Sequence, residues 1–280
     1  MLPQATEPRR SEDMGIYRLI PSLTPTMPML QTLKRHWPEY IFEAIGLALF
    51  MILAGGLTTL LEHPDSPMHI ALPSKMLRHV LLGLVMGTYI ALLIYSPWGR
   101  RTGAHINPAV TIAFWRMGKI GRADAIFYII AQFVGALITA RLLLFVIGDA
   151  FGHPDVKYGA TTPGPAGALI AFVAEFVISF LLLFAILIAI NSTRFKKLDG
   201  LFGGILIALY LIFEAPLSGM SLNPARTFGS AMTAQKFDGL WLYFVAPVLA
   251  MWLAVELYSR FPFFRDMDAP PVPMEKEAEE

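Results

Sequence analysis

The tripeptide Asn-Pro-Ala occurs twice in this chain, as Asn107, Pro108 and Ala109 and again as Asn223, Pro224 and Ala225. Asparagine is a good helix N-cap and proline is favoured at the first helical position, so each copy predicts the start of a helix. Each asparagine offers an NH2 donor, and the helix end behind it carries about half an elementary charge. Two such ends on one pathway would orient a passing water by its oxygen, interrupt a proton-conducting chain and oppose cations.

Three ionisable side chains lie in otherwise apolar sequence near these tripeptides. Arg226 follows Asn223 by three residues, where the first copy has Val110, and a cation inside a membrane is usually functional. Glu43 and Glu175 lie in long apolar segments and allow two interpretations. They either couple transport to protons or cations, or accept hydrogen bonds from buried irregular backbone, and we favour the second.

Six apolar segments must position these residues, since a membrane-spanning helix needs about 20 apolar residues. They cover about 40–61, 78–97, 125–147, 166–190, 201–217 and 239–258. Two further apolar stretches, 103–115 and 218–232, contain the tripeptides and are too short to span. About ten helical residues rise ~15 Å, half the hydrocarbon thickness, so we expect two half-helices that meet near the midplane.

The two halves of the chain repeat this pattern, with repeat one at about 37–147 and repeat two at about 166–260. Three spans separate the copies, and this odd number predicts an inverted repeat with a site where the half-helices meet. Residues 1–36 and the acidic segment 261–280 are expected to be tails. Sixteen of the 22 Lys and Arg residues fall in the tails and in the loops after spans two and four. The positive-inside rule therefore predicts that both termini are cytoplasmic, and we expect a bacterial inner membrane.

The composition excludes several classes of protein. Hydrophobic residues make up 55% of the chain, charged residues 15%, and the mean hydropathy is +0.56, which excludes a soluble enzyme and a disordered chain. The net charge of +1 gives no reason to expect nucleic acid. The chain has no cysteine and no nucleophile–base set, and the isolated His105 is expected to brace a loop. We therefore expect no enzyme activity, no cofactor and no metal.

The sequence resembles the major intrinsic protein family of aquaporins and glycerol facilitators over about 40–258. The resemblance rests on GAHINPAVT, AQFVGA, SGMSLNPARTFGSA and the two first-span glutamates. It implies an all-α integral membrane protein with six transmembrane helices and two re-entrant half-helices in a right-handed bundle. It also implies a pore in each protomer, a homotetramer, and support of the re-entrant loops by Glu43, Glu175 and His105.

The resemblance also assigns a selectivity filter to Met86, Leu211, Met220 and Arg226. Met86 is the filter residue of span two only if the following loop is one residue longer than is usual in the family. Without that insertion the filter residue is Gly87. Water-selective members pair an aromatic residue and a histidine with the arginine, and here methionine and leucine replace them. Apolar walls reduce the loss of favourable interactions when a partly apolar solute replaces water in the filter. Methionine can also adapt its shape to such a solute.

These features predict a passive channel for water, with small uncharged solutes as a further substrate class, that excludes protons and ions. Three alternatives stay open. One is a channel mainly for glycerol, urea or a metalloid hydroxide. The second is an ion-coupled secondary transporter, in which Glu43 or Glu175 would titrate in the pathway. The third is a closed structural or junctional membrane protein that keeps the fold but conducts little. The partners expected are water, neutral solutes, the lipid bilayer and further copies of the chain, without nucleic acid.

Overall fold

The computed structural model describes residues 28–192, 194–195 and 197–260, so most of both expected tails lies outside the described residues. This part of the chain forms eight principal helices. They are α1 (Met29–Glu62), α2 (Lys75–Tyr95), α3 (Pro108–Arg116), α4 (Arg122–Ile147), α5 (Ala168–Asn191), α6 (Asp199–Phe213), α7 (Pro224–Ala234) and α8 (Leu240–Arg260). Shorter turns at Pro67–Ala71, Pro97–Thr102, Asp149–Gly152, Lys157–Gly159 and Ala215–Ser218 lie in the connections.

Five helices, α1, α2, α4, α5 and α8, are long and apolar enough to cross a membrane, which makes the chain a multi-pass membrane protein. The sixth expected span differs from its prediction. Helix α6 has 15 residues and ends at Phe213 rather than near 217. Pro216 and the left-handed Gly219 follow, and they turn the chain into the loop before the second tripeptide.

Helix α1 begins at Met29, eight residues inside the segment expected to be a tail. His36 has non-helical dihedral angles (φ −114°, ψ 16°), and Pro38 lies two residues later. The proline cannot donate a backbone hydrogen bond and its ring crowds the preceding turn, which accounts for the kink. The helix therefore continues through the kink toward the N-terminus instead of starting at the apolar segment.

The helices pack as an inverted repeat in which α1, α2 and α4 correspond to α5, α6 and α8. Helix α1 packs along α4, α5 packs along α8, and α2 crosses α6. At that crossing Gly87 and Gly204 face each other so closely that a Cβ on Gly87 would lie 2.3 Å from the Gly204 carbonyl oxygen. Small residues of this kind let the backbones of membrane helices approach.

Polar contacts bring together the starts of α1, α4 and α6 and the end of α8 on one face, which we call the inner face. They are the ion pairs Arg101–Glu39, Arg100–Asp199 and Arg116–Glu256 and the hydrogen bond between His36 and Asp124. The opposite, outer face is linked by the Arg78–Glu62 pair and by contact between the rings of His63 and His153. The start of α1 and the end of α8 therefore lie on the same face, as an even number of crossings requires.

The half-helices enter from opposite faces and each packs on the other repeat. Helix α3 ends beside α8 at the Arg116–Glu256 pair of the inner face. Helix α7 packs on α4 and ends at the outer face, where Arg141 donates to the Met232 carbonyl oxygen at 3.3 Å. The N-terminal ends of both half-helices therefore meet inside the bundle.

The glycine crossing generates the first testable prediction. Gly87→Ala should lower stability by about 1–3 kcal/mol, because its methyl group would overlap a backbone oxygen that cannot move aside. Thermal unfolding in detergent measures the loss. Gly56→Ala is the matched control, since nothing lies within 4 Å of its added Cβ and alanine favours a helix. Equal unfolding temperatures for the two variants would contradict the role assigned to this crossing.

Candidate functional site: the meeting point of the half-helices

The two asparagines are linked across the centre of the bundle. Asn107 Nδ2 donates to the Leu222 carbonyl oxygen and Asn223 Nδ2 donates to the Ile106 carbonyl oxygen, each at 2.7 Å. The oxygen of each side chain caps its own half-helix, Asn107 through Ala109 N and Asn223 through Ala225 N. These contacts fix which side of each amide carries nitrogen. Because an amide nitrogen has two hydrogens, one N–H of each asparagine remains to be donated.

The backbone before each asparagine is irregular and repeats the same conformation. Ala104 and Ile106 have positive φ (49° and 40°), and so do Met220 and Leu222 (51° and 58°). Left-handed conformations cost a non-glycine residue roughly 1–2 kcal/mol. They also turn neighbouring N–H groups toward one point, where an anion can bind them together.

Glu43 is the anion at the first loop. Its carboxylate accepts His105 N at 3.0 Å, Ile106 N at 2.5 Å and Gln132 Nε2 at 2.8 Å, and the residue has no exposed surface. Hydrogen bonds to a charged acceptor are the stronger kind. Glu43 therefore binds the backbone of the loop, and it lines neither of the two cavities described below.

Glu175 repeats this arrangement at the second loop. It accepts Ser221 N at 2.5 Å, Leu222 N at 2.8 Å and the Ser218 hydroxyl at 2.9 Å, and it is also fully buried. Tyr243 extends the network by donating to the Ser218 carbonyl oxygen at 2.5 Å. The two repeats thus fix the same two backbone positions, which directly precede each asparagine.

His105 braces the first loop. Its Nδ1 lies 3.2 Å from the Thr111 hydroxyl, and its ring packs against Phe114 and Tyr128. The residue is 5% exposed, so it is a buried support at this position. Among the described residues no group of three His, Cys, Asp or Glu side chains has the arrangement of a metal site.

Two cavities approach the half-helix ends from opposite faces. The inner cavity, of about 930 Å³, contains Asn107, Asn223 and Met220 in its wall. The outer cavity, of about 520 Å³, is lined by Arg226 and Leu211 among others. None of the described residues lines both cavities.

Met86 occupies the interval between the cavities. One helical turn away on either side, Leu82 lines the outer cavity and Ile90 the inner one, whereas Met86 itself is 1% exposed. Gly87 packs against Gly204 in the helix crossing. Met86 and Met220 are buried in one apolar cluster, and Leu211 packs against it.

Arg226 lies in the first turn of α7 and in the wall of the outer cavity. Its backbone N–H donates to Asn223 Oδ1 at 3.2 Å in the first turn of α7. Its Nη1 atom is buried and has no hydrogen-bond partner among the described residues. Arg226 as a whole contributes to the wall of the outer cavity, where a guanidinium can bind a neutral solute and repel a cation.

Glu214 is a buried group whose position the sequence did not reveal. The residue directly follows α6 and is 8% exposed. Neither carboxylate oxygen has a partner among the described residues. The only sequence signal is a carboxylate two residues before Pro216, and that pattern equally fits an exposed helix end.

The buried carboxylates generate the second prediction. Glu175→Gln should lower the unfolding temperature and the pore's permeability. Its NH2 group would face N–H donors, and a buried donor without an acceptor costs about 1–3 kcal/mol. Glu39→Gln is the control, because Glu39 pairs with a half-exposed arginine at the surface. An unchanged unfolding temperature for Glu175→Gln would contradict this role of the carboxylate.

Known proteins resemble this chain over much of its length. "Aquaporin NIP2-1" of Oryza sativa subsp. japonica is 38% identical over 186 residues, which cover 66% of this chain and 59% of that protein. "Aquaporin-4" of Rattus norvegicus is 32% identical over 231 residues, covering 81% and 68%. The chain thus matches less than two thirds of the length of the plant relative. These relatives, from a plant and a mammal, give no support to the expected bacterial inner membrane.

One solved structure and one family profile also match this chain. The structure of the aquaglyceroporin from Plasmodium falciparum superposes with a TM-score of 0.67 at 22% identity, and covers 81% of this chain and 97% of that one. This likeness shows the fold, with six transmembrane segments and two half-helices. The profile described as "MIP: Major intrinsic protein" matches residues 29–258. The chain therefore belongs to the major intrinsic protein family.

Proposed function

We propose that this protein is a passive channel for water that also conducts small uncharged solutes and excludes protons and ions. The proposal rests mainly on the pair of asparagines at the meeting point of two helix N-termini. Each of them has one side-chain N–H that remains to be donated. Water that passes there must turn its oxygen toward both donors. This orientation prevents proton relay, and the positive helix ends oppose cations.

The walls of the constriction support a solute range wider than water. Met86, Leu211 and Met220 provide apolar surface, and Arg226 provides donors on one side. Water loses hydrogen bonds against the apolar wall, whereas a solute with both carbon and hydroxyl surface loses fewer. This chemistry favours glycerol, urea or a metalloid hydroxide as a second substrate class, and the names of the relatives, aquaporins and an aquaglyceroporin, fit both classes.

An ion-coupled transporter is the weaker alternative. Coupling would need Glu43 or Glu175 to face the pathway and exchange a proton or cation there. Each carboxylate instead binds three donors from the protein, and neither lines a cavity.

Two finer features belong to the same proposal. The family resemblance supports a homotetramer with one pore in each protomer. The excess of Lys and Arg at the inner face supports a cytoplasmic position for both termini. No enzymatic step and no cofactor is part of the mechanism.

Stopped-flow light scattering on purified protein in liposomes tests the function. An impermeant osmolyte should cause shrinkage several-fold faster than in empty liposomes, and a glycerol gradient should be followed by re-swelling. Both rates should be independent of Na⁺ and of a pH gradient. Flux that requires an ion gradient would favour the transporter, and the absence of both fluxes would contradict the proposal.

The apolar filter generates a separate prediction. Leu211→His should reduce glycerol re-swelling several-fold while water flux persists, because the imidazole narrows the outer side of the constriction and adds a polar group beside Arg226. Leu211→Ile is the control that keeps the apolar wall and should keep glycerol flux. No change in either flux for Leu211→His would show that Leu211 does not line the path.

A further inference from the structure

The first two turns of α1 expose apolar side chains at the inner face. Met29, Leu30 and Leu33 are 51%, 63% and 37% exposed, and Trp37, which follows the kink, is 55% exposed. Residues three and four apart lie on one side of a helix, so the first three side chains form one patch. We call these four residues the apolar stripe. Ile41, which is also exposed, continues the stripe along the membrane-spanning part of α1.

The length of α1 places its first two turns beyond the hydrocarbon core of the membrane. A straight helix of its 34 residues would rise about 51 Å, whereas about 20 residues cross a core of about 30 Å. Glu39, three residues after the kink, already pairs with the exposed Arg101 at the inner face. A charged pair of this kind marks the polar boundary, so residues 29–36 lie at the membrane–water interface or outside it.

Contacts with α4 hold one side of this segment and leave the apolar stripe uncovered. Asp124 at the start of α4 accepts a hydrogen bond from the Tyr40 hydroxyl and lies against His36 Nδ1, both at 2.7 Å. Thr32 is buried on the same side, with its carbonyl oxygen 3.4 Å from the Tyr40 hydroxyl. The kink at His36 lets the segment turn away from the direction of the spanning helix. The stripe therefore lies on the side that no described residue covers.

Cations accompany the apolar stripe. Lys34 and Arg35 lie in the same two turns, and Arg122 begins α4 two residues before Asp124. All three are exposed, and no described carboxylate lies within ion-pair distance of Lys34 or Arg122. Residues 29–36 include no acidic side chain. An apolar side next to cations is typical of helices that lie in the membrane interface, and it fits a leaflet with anionic headgroups.

We propose that residues 29–36 lie in the membrane interface of the inner face and bind anionic lipid. The apolar stripe enters the acyl chains, and Lys34 and Arg122 bind lipid phosphate groups. Tryptophan is favoured at this depth, which fits the exposed Trp37. A lipid leaflet fits this surface better than a second copy of the chain, because the stripe continues at Ile41 into the exposed side of a spanning helix. The proposal does not require that the pore conducts water, so it stands apart from the proposed function.

Quenching of a fluorescent label tests where the segment lies. The chain has no cysteine, so Leu33→Cys places a single label in the apolar stripe, and Gln31→Cys is the matched control on the opposite side of the same turns. In vesicles of phosphatidylcholine and phosphatidylglycerol, we expect spin labels on the acyl chains to quench residue 33 and aqueous iodide to quench residue 31. Equal access of iodide to both labels would overturn the proposal. Protection of residue 33 from both quenchers would also overturn it, because protein would then cover the stripe.

Matched charge variants test the preference for anionic lipid. With the label at residue 33, spin-labelled phosphatidylglycerol should quench several-fold more strongly than spin-labelled phosphatidylcholine at about 0.01 M salt, where the Debye length is about 30 Å. Lys34→Gln/Arg122→Gln should bring the two quenching strengths together, whereas Lys34→Arg/Arg122→Lys should keep the difference. Lys75→Gln, in the wall of the outer cavity, controls for total charge and should change nothing.

Two results of this comparison would overturn the proposal. One is equal quenching by the two lipids when all the cations are present, and the other is an unchanged difference in the Lys34→Gln/Arg122→Gln variant. Neither measurement involves flux, so failure here is distinguishable from failure of the channel function.

Discussion

Glu43 and Glu175 each bind the N–H groups of the two residues that precede an asparagine, and the geometry of the pore depends on these contacts. A lipid bilayer supplies no hydrogen-bond partners, so irregular backbone at that depth must be satisfied by the protein. Each loop also contains two left-handed non-glycine residues, whose strain must be offset. A carboxylate offsets it through charge-assisted hydrogen bonds, worth about 1.5–3 kcal/mol each. Once the loop is fixed, the asparagine has one orientation and the half-helix has one starting point.

Close contacts between helix backbones hold the bundle together around the two cavities. Gly87 and Gly204 bring α2 and α6 together backbone to backbone, while Gly135 meets Ala44 between α1 and α4. The buried Met86 is adaptable, since its thioether has three rotatable bonds. The rigid parts of the site are therefore the loop backbone and the asparagine amides. The variable part is the flexible apolar side chain of Met86.

The local features of the site could be predicted from the sequence, because capping and helix initiation depend on neighbouring residues. Asparagine followed by proline indicated both half-helices, and α3 and α7 begin at Pro108 and Pro224. Features that depend on tertiary contact were less accessible. The close approach of Gly87 to Gly204 could not be predicted, because it depends on the helix crossing and not on neighbouring residues. Burial of Glu214 and the early start of α1 at Met29 depend on packing that no short pattern encodes.

Each half-helix is held mainly by the other half of the chain. Helix α3 lies against α8, α7 lies against α4, and the asparagine of one loop donates to the other loop's backbone. Neither repeat is therefore an autonomous folding unit, even though the two share one architecture. During synthesis α3 enters the membrane before its main wall exists, since α8 follows more than a hundred residues later. The contacts between α3 and α8 can therefore form only after the last described helix has been synthesised.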